Sequence, residues 1–82
     1  MDLYGKLSIE EMYLLFAFHR KMKEYSKAED YLFHLKDANY PGIKRIGLAF
    51  LKELEKSDET DLAQSGLSIE EIKESIEIFE NI

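Results

Sequence analysis

The chain of 82 residues has no cysteine and a single proline, and between positions 57 and 82 only Lys73 is basic. Without cysteine there is no disulfide framework, no thiolate nucleophile and no thiolate metal site, so stability has to come from packing. Long apolar runs are missing too. The longest, Met12 to Phe18, has seven residues, far short of the roughly 20 that span a bilayer, and no small-residue cleavage site accompanies it. These absences lead to the expectation of a soluble, cytoplasmic protein with no membrane partner. The β-branched apolar residues are all isoleucines at helical spacing, and no segment alternates with a period of two, so strand signals are nearly absent.

What is present is the balance of a folded protein: 45% hydrophobic and 34% charged residues, too apolar for a disordered chain. Eighty-two residues make one small domain, burying only about 60 to 65% of the surface of the unfolded chain. The net charge of −6 is unevenly spread. Residues 1–56 carry ten Lys and Arg against nine Asp and Glu, whereas residues 57–82 carry one Lys against eight acids. A strongly acidic C-terminal third repels phosphate backbones, which argues against nucleic acid and favours a basic protein partner.

Start and stop signals place four helices, at about 9–25, 27–37, 42–56 and 69–81. Ser8 with Glu11 three residues on forms a capping box, with Leu7 able to staple onto Met12. Ser26 and Glu29 repeat the spacing, and Pro41 and Gly42 break the chain before the third helix. Leu67-Ser68-Ile69-Glu70-Glu71 copies the first start signal, but the sequences that follow diverge, so shared capping chemistry explains the match without duplication. Ser57 to Gly66 reads as a polar loop with room for one short turn. The fold expected is all-α, a compact bundle of four helices in a single domain.

Three helices show ordinary apolar stripes: Ala28, Tyr31, Leu32 and Leu35; Ile43, Ile46, Gly47, Phe50, Leu51 and Leu54; and Ile69, Ile72, Ile76 and Phe79. Gly47 costs about 1 kcal/mol of helix propensity on its stripe, which points to close approach of a neighbouring helix. The first helix is apolar on every side between Met12 and Phe18. Central placement, surrounded by the other three, is the simpler account of it; the alternative is a homodimer through this helix.

Residues off the stripes are the candidate binding groups: Phe33, Leu48 and Ile78, with Glu70, Glu74 and Glu77 on the acidic side of the last helix. Ile82 is similarly displaced. No catalytic, cofactor or metal site is expected. His19 and His34 stand in separate helices with no paired-ligand spacing, and there is no glycine-rich phosphate loop. Adjacent glutamates at 10/11 and 70/71 point about 100° apart and suit a helix N-terminus better than acid–base chemistry.

Gly5 to Glu11 resembles the second half of an EF-hand loop, but Tyr4 stands at a ligand position and the opening aspartate is missing. A small acidic helical domain also resembles acyl carrier proteins, but Asp37-Ala38-Asn39 lacks the attachment serine. Ala38, Gly42, Leu48 and Leu51 resemble the small, glycine, apolar, apolar spacing of a helix-turn-helix. That resemblance implies a recognition helix exposing Lys44, Arg45, Ile46, Ala49 and Phe50 and burying Leu48. The sequence thus favours a small acidic module that binds a protein partner stoichiometrically, in the manner of an inhibitor, immunity-type protein or regulator. The alternative is a DNA-binding regulator using residues 38–51 and the ribbon Arg45, Lys52 and Lys56.

Overall fold

A computed structural model describes residues 8–82. The all-α class holds: five helices and, among the described residues, no strand. They are α1 (Ile9–Lys21), α2 (Tyr25–Asp37), α3 (Ile43–Glu55), α4 (Glu59–Gln64) and α5 (Ile69–Glu80). Two compact units emerge, the first ending at Tyr40 and the second beginning at Pro41. In the first, α1 packs on α2; in the second, α3 packs on α5.

The capping serines at 8 and 68 act as the sequence implies. Ser8 Oγ accepts from Glu11 N–H at 3.1 Å while Glu11 Oε1 accepts from Ser8 N–H at 3.4 Å, and Ser68 Oγ accepts from Glu71 N–H at 3.2 Å. The contact between Leu7 and Met12 and the EF-hand-like stretch lie wholly or partly outside the described residues. The junction of α1 and α2 departs from expectation. Helix α1 stops at Lys21 rather than near Tyr25, and Ser26 lies inside α2, whose N-cap, Glu24, makes no side-chain capping bond. The reason is a Schellman turn. Lys23 adopts φ 61°, its N–H donates to Arg20 O at 3.1 Å, and Glu24 N–H donates to His19 O at 2.8 Å. The same turn closes α2 at Asn39 (φ 56°) and α4 at Gly66 (φ 83°). Helix α4 fills the expected loop because Asp58 caps it, its carboxylate accepting from Thr60 N–H at 2.9 Å.

Buried in the first unit are Phe16, Ala28, Leu32 and Leu35; in the second, Ile43, Gly47, Phe50, Leu51, Leu54, Leu62, Leu67, Ile72, Ile76 and Phe79. Gly47 has the role expected of it. A Cβ there would fall on Cδ2 and Cε2 of the Phe79 ring and 3.2 Å from its Cγ, so α3 and α5 approach as closely as they do because position 47 has no side chain. Central placement of the first helix is overturned. Of its residues only Phe16 is fully buried, while Leu14 and Phe18, with the C-cap Met22, are 66%, 53% and 57% exposed. A helix covered on all sides would leave no such row.

Candidate functional site

The outer face of α5 is built by its own period. Ile72, Ile76 and Phe79 turn into the core, which sends Glu70, Glu74 and Glu77, spaced by four and three, to the opposite side. All three are exposed, and Ile78 beside them is 45% exposed. Ile82, just past the helix, is 52% exposed. Among the described residues, none of the three glutamates pairs with Arg45, Lys52 or Lys56. The acidity of this face is therefore left to solvent or to another molecule.

Helix α3 carries a second surface. Gly42, Lys44, Arg45, Leu48, Ala49 and Lys52 line an open groove whose floor is apolar and whose rim holds three cations. Leu48 is half-buried there, and Lys56 is exposed. The helix-turn-helix resemblance fails on the orientation of α3: Phe50, which it would present to DNA, is fully buried, and Leu48, which it would bury, lines the groove. The 3.6-residue period of Ile43, Gly47, Phe50 and Leu54 decides the matter, since one helix cannot turn both sets of residues inward.

Phe33 belongs to the other unit and is less open than its position suggests. It is half-buried, with the Lys36 ammonium 5.9 Å from its ring centroid. Of the six candidate residues, Phe33 stands on α2 in the first unit, and in the second Leu48 stands among the cations of α3 and Glu70, Glu74, Glu77 and Ile78 on α5.

His19, Ser57 and Ser65 are engaged in structure. Glu24 Oε1 accepts from His19 Nδ1 at 3.2 Å, and the imidazole stacks on Tyr31 with centroids 5.4 Å apart and planes 7° apart. An ionised carboxylate only accepts, so the ring proton sits on Nδ1. That bond, followed by one from Lys27, holds the Glu24 carboxyl below its ordinary range. Ser57 Oγ donates to Glu53 O at 3.1 Å and Ser65 Oγ to Leu62 O at 2.8 Å. Among the described residues, no group of three or more His, Cys, Asp or Glu is placed to hold a metal ion. None of their helices is long and apolar enough to cross a membrane.

The sequence offered α1 as an alternative contact surface without naming its residues, which are the row Leu14, Phe18, Met22. Its spacing of four was visible in the sequence, but an apolar neighbourhood on every side of α1 hid which side stays uncovered.

By class, then, this is an all-helical chain of two helix-paired units with charged outer faces on α3 and α5. The chain belongs to the DUF6483 family, a family of unknown function, whose model matches residues 3–82. No curated protein and no solved structure matches it.

Proposed function

We propose that the chain is a protein-binding module of the regulatory, inhibitor or immunity type, acting in the cytoplasm by stoichiometric association rather than by chemistry. Its partner presents a basic surface, which the outer face of α5 meets. The observation that carries this reading is the row of three exposed glutamates that form no ion pair with a cation among the described residues, bordered by the half-exposed Ile78. Carboxylates neutralised within the molecule would add little to stability, about 0 to 1 kcal/mol per exposed pair, whereas the same charges aimed outward raise encounter rates by orders of magnitude at low salt.

The test is capture of a partner from the source cell, identification by mass spectrometry, and measurement of its association rate with the parent and with the Glu70→Gln, Glu74→Gln, Glu77→Gln triple variant. The variant should melt with the parent and associate roughly tenfold more slowly at low salt, the difference fading as salt is added. Equal rates at low salt would refute the role of α5. One observation favours a second reading, nucleic-acid binding: the cationic rim of the α3 groove. Salt-sensitive binding of a duplex that is lost in the Arg45→Gln, Lys52→Gln variant would select it instead.

A further inference from the structure

Leu14, Phe18 and Met22 follow one another at intervals of four, and their exposed surface forms a strip about 12 Å long, given 1.5 Å of rise per residue. Three large side chains more than half exposed in one row present on the order of a few hundred Å² of apolar surface, the size at which patches on small proteins mark contacts. The charges beside the strip are arranged unevenly. Glu10 and Lys21 are both exposed, and their separation of eleven residues returns them to within about 20° of the same direction, so both lie along one edge. The acid stands at the N-terminal end of that edge and the base at the C-terminal end.

An edge of this kind is complementary to itself in one orientation only. A two-fold axis perpendicular to two helices apposes like edges and reverses their direction, so Glu10 of each copy meets Lys21 of the other. Parallel pairing, about an axis running along the helices, would carry the two charged edges to opposite sides of the seam and leave Glu10 and Lys21 of each copy without each other. An axis at the level of Phe16 puts Leu14 of each copy against Phe18 of the other at the centre and lays Met22 over the aliphatic stem of Glu10. We propose that α1 is a self-pairing helix: two copies of the chain associate antiparallel through the Leu14, Phe18, Met22 strip, with Glu10 and Lys21 paired across the axis.

The strip is smaller than the roughly 800 Å² per partner of a standard interface, so the dimer belongs to the transient, micromolar class. Two chains of net charge −6 repel at long range, so salt should strengthen the dimer by screening that repulsion. This is the opposite of its effect on capture of a basic partner by α5, and the two readings therefore stand or fall separately.

Sedimentation equilibrium of the full chain, from about 5 to about 500 µM in near-physiological salt, covers the range such an interface needs. A monomer–dimer equilibrium that tightens between low and physiological salt is expected; a monomer throughout overturns the proposal. Phe18→Asp should abolish the dimer while melting within about 3 °C of the parent, because the side chain is exposed. If that variant fails to fold, Leu14→Gln replaces it in the same measurement. A strip variant that folds and dimerises as the parent does refutes the interface. Glu10→Lys and Lys21→Glu should each weaken the dimer by roughly fivefold, and the double exchange should restore it. Failure of that restoration overturns the antiparallel arrangement.

Discussion

Gly47→Ala adds one methyl group where α3 comes nearest to α5. Two effects of known sign then compete. Inside a helix, alanine is favoured over glycine by about 1 kcal/mol. Against this, the new Cβ would fall on two carbons of the Phe79 ring, which is fully buried, and neither the ring nor the helix behind it can give way without moving the core. Overpacking of that kind costs about 1 to 3 kcal/mol, and overlap with a rigid ring belongs at the upper end, leaving a net loss of about 2 kcal/mol. For a chain of this size that is a fall in melting temperature of roughly 8 to 16 °C, readable by circular dichroism during thermal or urea unfolding. In a Phe79→Leu background the ring is gone, and the same Gly47→Ala change should become neutral or stabilising as helix propensity takes over. A Gly47→Ala variant as stable as the parent would show that the two helices are not held apart by this glycine alone, and the close-approach argument would fail.

Ser68→Ala should cost about 1 kcal/mol by removing the cap of α5, while Ser26→Ala should leave stability within about 0.5 kcal/mol, because Ser26 lies inside α2; equal losses would restore Ser26 as a cap. Lys23→Gly should raise stability by about 0.5 kcal/mol, since φ 61° burdens a lysine and not a glycine; a loss in equilibrium unfolding would count against that turn. The Glu24 carboxyl lies below its ordinary value of 4.5 because of His19 first and Lys27 second. A depressed carboxyl stabilises fully above its unfolded value and loses that contribution as pH falls through its lower folded value. The stability difference between the parent and Glu24→Gln should therefore shrink as acid titrations pass below 4.5, and a difference that persists unchanged at the lowest pH would refute the link.

The apolar stripes of α2, α3 and α5 were legible because each has one apolar side, and one-sided periodicity reports burial directly. Gly47 was legible for a related reason: a glycine on a buried stripe gives up helix propensity, and close packing is the usual compensation. The corner between α1 and α2 was not. Its turn depends on Lys23 in a left-handed conformation that a lysine does not advertise, while Ser26 and Glu29 imitate a cap that the chain does not use. Nor could the sequence tell which side of α1 remains open, because periodicity loses its contrast when every side is apolar. At the candidate site, the exposed glutamates of α5 followed from the helical period, whereas the partial cover of Phe33 by Lys36 depends on a side-chain conformation no spacing encodes.

The left-handed residues are divided unequally between the units. Among the described residues, those of the first are Lys23 and Asn39, which carry side chains; those of the second are Gly42 and Gly66, which carry none. Each substituted residue gives up of the order of 1 to 2 kcal/mol to hold that conformation, asparagine toward the lower end, and glycine almost nothing. The corner before α2 and the end of α2 thus store conformational energy that the corresponding turns of α3 and α4 do not. Released by local opening, that energy should lower the cost of partial unfolding in residues 8–40, and native-state hydrogen exchange should then find the amides of α1 and α2 trading their protons with solvent sooner than those of α3 and α5.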